Sequence, residues 1–502
     1  MKLFAIRGGI HPDYRKELAS DKAITALPMP ARLQILLHQH IGAPARLMVA
    51  PGERVRKGQM IAQGQGPVSA PTHAPTSGVI ESVSEVTAPH ASGLPLTAVV
   101  LAPDGLDEWA TLPDPITDAL TVAPQQIWDR VAQAGIVGLG GAAFPSVIKL
   151  HLGVQRKLEM LVLNGAECEP YLCCDDRLMR EQAAEVVDGA RIMAHALGAR
   201  QVIVGIEENK PEALEAMTRA AAEFPDVTIQ PVPVQYPMGS ERHLVQALTG
   251  RETPAMKLTA DIGAVVHNVA TAQAVHQAVR HGRPLIDRVV TVSGRAVREP
   301  RNIRTPIGAP VADLIAFCGG LVGVPARLVL GGPMMGQPLP NLDVPVIKGT
   351  SGILALDAQE TGEAAPGPCI RCGTCVSICP CGLVPLEMAA FIRTDDLKGA
   401  ANLGVTECLS CGSCSWACPS HIPLVQYFNY AKGMLKTKER ERAKSEHTKM
   451  QTEAHRARME KAEAAKLAAK ATKTTRASAN GAAATGTAPD TRQSRAEEPT
   501  EA

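Results

Sequence analysis

Nine of the chain's 13 cysteines fall between Cys369 and Cys418, in two runs of one spacing. Cys369, Cys372, Cys375 and Cys379, followed by Pro380, read C-x2-C-x2-C-x3-C-P; Cys408, Cys411, Cys414 and Cys418, followed by Pro419, repeat it. Loops this short let three thiolates converge on one face of an iron-sulfur cubane, and the proline turns the chain away toward a second site. A zinc ion needs only four ligands, usually two Cys-x2-Cys pairs with a longer gap, and would leave the third and fourth cysteine of each run unexplained. The runs therefore predict two [4Fe-4S] clusters, which relay single electrons. In a reducing cytosol, repeated Cys-x-x-Cys spacing points to metal or redox sites rather than disulfides. Cys381, just past the first run, reads as a neighbour of a cluster or as a substitute ligand.

The doubled run resembles that of bacterial two-cluster ferredoxins, in which the fourth cysteine of each run ligates the other cluster. That resemblance assigns Cys369, Cys372, Cys375 and Cys418 to one cluster, and Cys408, Cys411, Cys414 and Cys379 to the second.

Composition bounds the rest. The 502 residues amount to roughly three domains at about 150 residues each, and 45% apolar with 20% charged is globular. The net charge of +1 averages two parts: residues 431–502 hold 16 Lys+Arg against 10 Asp+Glu, leaving 35 against 40 for residues 1–430. A near-neutral body offers no basic face for nucleic acid. The N-terminus lacks the apolar stretch of a secretory signal, and no window approaches the roughly 18 apolar residues of a membrane span. The expectation is a soluble, cytoplasmic chain.

Residues 44–82 alternate short β-prone runs with Gly and Pro turns. They resemble the barrel-sandwich hybrid of biotinyl and lipoyl domains, but the stretch between the halves, AQGQGPVSAPT, has no lysine to modify, so a structural module is expected. Residues 125–260 alternate helix and strand as an α/β unit does. Strands around Leu161 to Glu167 and Val202 to Ile206 flank a helix over RLMREQAAEVVDGARIMAHALG that closes on Gly198, with ligand-binding loops expected at the strands' carboxyl ends. Residues 287–336 read as strands around one helix, Val311 to Cys318, and a Gly/Pro/Ala linker leads into the cysteines. Beyond Lys432 there is no aromatic residue. Pairs such as Glu439/Arg442 and Glu446/Lys449 suit a solvated helix, and after about Arg476 the composition predicts disorder. That tail reads as a solubilising appendage or a basic arm. Cys168, Cys173 and Cys174 read as buried small hydrophobes.

Four loops add a second chemistry: GIVGLGGAAFPSVIKL (residues 135–150), NGAECEP (Asn164 to Pro170), QYPMGSE (Gln235 to Glu241) and VVHNVAT (Val265 to Thr271). Small residues let backbone N–H groups approach a ring or phosphate, and Lys149 supplies a cation. The four segments resemble those of the FMN- and NADH-binding subunit of respiratory complex I. By position, the resemblance implies that Gly138, Gly140, Gly141, Ala142, Lys149, Asn164, Glu167, Gly239, Asn268 and Thr271 hold FMN, and that Phe144, Glu169, Tyr236 and Glu241 face NAD(H). Leu139, Ala166, Ser240, His267 and Ala270 depart from that pattern. No catalytic nucleophile or general base is expected.

Read with GGIHP, LHQHIGAPA, GGPMMG and KGTSGI in order, the chain resembles the C-subunit family of the ion-translocating Rnf (Rsx) electron transport complex over about residues 5–430. The resemblance implies a mixed α/β and α+β multidomain chain: a barrel-sandwich hybrid domain (1–118), an FMN/NADH-binding α/β domain (119–280), a soluble-ligand-binding β-grasp domain (281–360), a two-[4Fe-4S] ferredoxin-type domain (361–430) and a charged tail (431–502). It implies an oxidoreductase and translocase subunit, peripheral on the cytoplasmic side of the inner membrane, with integral membrane and ferredoxin-like partner subunits. A cobalamin-reductase-type subunit of a microcompartment and a non-catalytic, electron-conducting docking module are the alternatives.

Overall fold

A computed structural model describes residues 2–362 and 364–482. They divide into two units, the first ending at Ala431 and the second beginning at Lys432.

The α/β layer carries a four-stranded parallel sheet in the order Val227–Val232, Gln201–Glu207, Met160–Gly165, Ala264–Asn268. Met160 to Leu163 and Val202 to Ile206 are buried on both faces, as strands covered by helices on two sides must be. The expected single helix is two, Cys174–Glu181 and Ala183–Leu197, because Gln182 takes φ −132° and ψ 32° between them. Gly189 allows the second helix to approach Val269–His281, since a Cβ there would lie 1.9 Å from the carbonyl oxygen of Ala272.

The other β modules share a core. Antiparallel strands Leu33–Leu36, Pro95–Pro103, Gly78–Thr87 and Arg54–Val55 form one sheet, and Arg46–Leu47, Met60–Gln63 and Thr72–His73 another. Leu33, Ile35, Ile80 and Leu101 pack in the same apolar cluster as Val290, Val292, Val311 and Leu314. Those last four belong to a mixed six-stranded sheet region and its helix Val311–Phe317, and Thr25–Ala26 adds an edge strand beside Arg301–Pro306. Apolar contact across the module boundaries is the reason residues up to Ala431 form one unit.

The two cysteine runs adopt one backbone shape. Arg371 and Ser410 have φ 55° and 57°, Gly373 and Gly412 have φ 78° and 80°, and a four-residue helix follows each, Thr374–Ser377 and Ser413–Trp416. Positive φ at two sites per loop is what curls three cysteines around one point. A final helix runs Leu424–Ala482, continuing past Arg476, where composition predicts disorder. Residues 483–502 of that expectation lie outside the described residues. On its exposed surface Arg442 pairs with Glu446 at 3.4 Å rather than with the expected Glu439, and Arg456 pairs with Glu460 at 3.0 Å. No helix among the described residues is long and apolar enough to cross a membrane.

Candidate redox site

No disulfide joins any of the 13 cysteines. Cys369, Cys372, Cys375 and Cys418 line one cavity of about 240 Å³ with Leu386, Ile422 and Tyr427. Cys379, Cys408, Cys411 and Cys414 line a second. Each set takes three thiols from one run and the fourth from the other. Four soft sulfur donors in one cavity and five in the other, where Cys381 joins the set, with no competing carboxylate lining either cavity, fit iron-sulfur chemistry.

The α/β crevice lies where the sheet order reverses. The chain leaves the Met160–Gly165 strand on one side and returns to its other side with Ala264–Asn268, so Asn164 and Asn268 stand side by side in register at the carboxyl ends. Asn164 donates to the carbonyl of Gly239 at 2.8 Å and accepts from the N–H of Ala166, which joins two of the four loops. Asn268 caps the helix Val269–His281 by accepting from Ala270 N at 2.9 Å, and donates to Asp175 at 2.6 Å. The glycine loop is pinned here. Leu139 N–H donates to the Thr271 hydroxyl at 2.9 Å, and Gly138 N–H to the carbonyl of Phe144 at 2.7 Å. Gly140, Gly141 and Ala142 line the loop's outer edge, where Gly140 and Gly141 are exposed and Gly141 (φ 104°) has open space where a Cβ would stand. A helix N-terminus beside an exposed small-residue loop at a switch point fits a phosphate-bearing cofactor such as FMN. Lys149 reaches the Val266 carbonyl at 3.0 Å and pairs with Glu241 at 2.8 Å, whose other oxygen accepts from Thr259.

Three of the sequence candidates turn their polar atoms into the protein. Glu167 accepts from the N–H groups of Asp175 and Asp176 at 2.8 and 3.0 Å, capping Cys174–Glu181. Glu169 accepts from the N–H groups of Met334 and Met335 at 3.1 and 2.8 Å, and burial pushes its carboxyl up to about 7. Tyr236 is 1% exposed, and its hydroxyl donates to the carbonyl of Cys411 at 2.7 Å. The loop QYPMGSE is thereby bonded to the second cysteine set.

Sequence reasoning missed four residues that hold this site. Lys16 donates to the carbonyls of Glu167, Glu169 and Leu172 across some 150 positions, a contact with no local signal. Arg288, fully buried, donates to the carbonyls of Leu139 and Thr350. Asp175 is raised to about 7 by burial and by the nearby charge of Glu167; its adjacent acidic pair at a helix start was the visible clue. His243 bonds the carbonyl of Pro380 at 3.0 Å. Cys168, Cys173 and Cys174 are buried, as expected.

Family models match at residues 4–106 (RnfC barrel sandwich hybrid domain), 131–277 (Nuo51 FMN-binding domain), 289–338 (SLBB domain) and 368–422 (4Fe-4S dicluster domain). The C subunit of the ion-translocating oxidoreductase complex from Rhodobacter capsulatus is 56% identical over 437 residues, 87% of this chain and 84% of that one. The protein of the same name from Pseudomonas aeruginosa is 44% identical over 92% of this chain and 59% of its own length. That from Haemophilus influenzae strain PittEE is 40% identical over 92% and 71%. An NAD+-reducing [NiFe]-hydrogenase in its H2-reduced state superposes with a TM-score of 0.45 at 19% identity, covering 63% of this chain and 62% of that one. With its N-terminal module, FMN-binding module and doubled cysteine run in one chain, and 56% identity to a relative over most of both lengths, the chain belongs to the C-subunit family of ion-translocating oxidoreductase complexes.

Proposed function

We propose that this chain is the electron-transfer subunit of an ion-translocating Rnf-type oxidoreductase complex, passing electrons between NAD(H), FMN and two [4Fe-4S] clusters. The observation that carries this reading is the Tyr236 hydroxyl bond to Cys411, which links the switch-point crevice to one thiol set. FMN, when bound, supplies the conversion between a two-electron hydride carrier and one-electron centres.

The chain's own residues then have stated tasks. Gly138, Gly140, Gly141 and Ala142 present backbone to the cofactor. Asn268 and Thr271 order the helix N-terminus where a phosphate is favoured, and Lys149 adds a positive charge. Asn164 and Gly239 fix the facing loop, and Glu167 fixes the helix behind it. Phe144 and Glu241 lie on the nucleotide side, and Glu169 and Tyr236 brace that side against the cluster loops. Cys379, Cys408, Cys411 and Cys414 hold the first electron acceptor. Cys369, Cys372, Cys375 and Cys418 hold the outer one.

The working division of the chain keeps five parts: 1–118, 119–280, 281–360, 361–430 and 431–502. Ion movement falls to integral membrane partners, with a ferredoxin-like subunit as the next electron carrier. The chain sits peripherally on the cytoplasmic side of the inner membrane. The relatives from Rhodobacter capsulatus and Pseudomonas aeruginosa favour this over the cobalamin-reductase and docking-module readings.

The test is to load the full chain with iron, sulfide and FMN, then follow flavin bleaching and cluster reduction by EPR after adding NADH. About eight irons per chain and reduction of both clusters are expected. Iron near four would defeat the two-cluster reading, and bound flavin that NADH does not bleach would leave only a conducting module.

A further inference from the structure

The ninth cysteine of the block belongs to neither run. We infer that Cys381 is a reserve ligand of the inner cluster, able to replace Cys379 on its iron. This rests on the proposed assignment of Cys379, Cys408, Cys411 and Cys414 to one cluster.

Cys381 lines the same cavity as those four thiols, whereas the cavity of the other set has four cysteines and no fifth. The remaining side chains around it, including Leu383, Met388, Val425 and Phe428, offer no stronger ligand than a thioether. The local turn explains how two thiols two positions apart reach one space. Cys379-Pro380-Cys381-Gly382 is closed by the Gly382 N–H on the carbonyl of Cys379 at 3.1 Å, with proline at the second position, which such turns favour. Leu383 N–H, immediately after the same turn, lies 3.4 Å from the sulfur of Cys379. A solitary buried cysteine would be read as a small hydrophobe. Here the thiol shares its cavity with a complete ligand set and stands in the same turn as one member of it.

The exchange balances without redox change. The Cys381 S–H proton leaves as its sulfur bonds iron, the bond from iron to the Cys379 sulfur breaks, and that sulfur takes up a proton.

Full-length chains carrying C379A, C381A or both, loaded anaerobically with iron and sulfide, decide the matter by iron content and EPR of the reduced protein. The unaltered chain first checks the underlying reading: about eight irons support it and about four defeat it. Given eight, C381A is expected to keep about eight, C379A to keep about eight with one cluster's signal altered, and the double variant to fall to about four. If C379A alone falls as far as the double variant while the outer cluster's signal persists, the inference is overturned. Should C379A fail to fold, the nearly isosteric C379S replaces it. Loss of about four irons in C379S/C381A but not in C379S supports the inference, and equal retention in both overturns it.

Discussion

The two thiol sets are built from one motif with one backbone shape, yet they occupy different surroundings. In the inner set Cys379, Cys411 and Cys414 are buried; in the outer set Cys369 and Cys372 are exposed. The inner set is fastened to the rest of the unit by Tyr236 on the Cys411 carbonyl, by His243 on the Pro380 carbonyl, and by Met334, whose carbonyl lies 3.1 Å from where a Cβ on Gly412 would stand. Around the outer set Ile370 is 66% exposed. Burial raises the Cys411 and Cys414 thiols of the inner set and the Cys375 thiol of the outer set, while Cys372, at the surface beside the Thr374 hydroxyl, is lowered. Identical spacing therefore gathers equivalent thiols in each set but does not fix their surroundings, and solvent and hydrogen bonding are what set a cluster's potential.

The sharpest test of this difference is to remove one cluster at a time. Cys411→Ala and Cys369→Ala are each expected to lower iron from about eight to about four per chain. Only Cys411→Ala should stop NADH from reducing the cluster that remains. If Cys369→Ala also stops it, the order of inner before outer is wrong. Chelation should show the same asymmetry, with the outer set's iron, about four per chain, lost before the inner set's. Simultaneous loss, followed by EPR of each signal, would erase the contrast in exposure.

A smaller effect is expected from Glu169, which supports the Met334–Met335 backbone beside the inner set. Its carboxyl is raised from 4.5 to about 7 by burial, so the folded chain holds this proton more tightly than the unfolded chain. Its contribution to stability is therefore intact below about 4.5 and declines as pH rises to about 7, by at most on the order of 3 kcal/mol. Unfolding midpoints of the unaltered chain and Glu169→Gln, compared at pH 5 and pH 7.5, should differ in their pH dependence, and an identical dependence would remove Glu169 from this role. The smallest effect is that of Tyr236→Phe. It strips the donor from the Cys411 carbonyl, costs about 1–3 kcal/mol, and should shift the inner cluster's potential in a redox titration while leaving the outer one unchanged.

Local chemistry was legible from the sequence alone. The Cys-x2-Cys-x2-Cys loops and the helix closing on Gly198 rest on contacts within a few residues, where spacing and backbone preference act directly, and the strand ending at Asn164 and the glycine loop show in the hydrophobic run and glycine content of short stretches even though distant segments hold them. The break at Gln182 was hidden because its flanking residues keep helical periodicity. The inward turn of Glu167, Glu169 and Tyr236 was hidden for a different reason: each polar group's partner lies on another element, and no pattern along the chain names it. Lys16, which gathers the carbonyls of Glu167, Glu169 and Leu172, is the clearest case of a residue whose task depends wholly on a distant segment.

By itself the sequence determined the ligand chemistry, the succession of modules and the kind of cofactor each can hold, because thiol spacing, glycine content and hydrophobic period are properties of short stretches. Only the tertiary structure decided which thiol set is buried, which loop touches it, and that the β modules share one core. Burial and long-range hydrogen bonds arise from surfaces meeting across the fold, and these set how two copies of one motif come to differ.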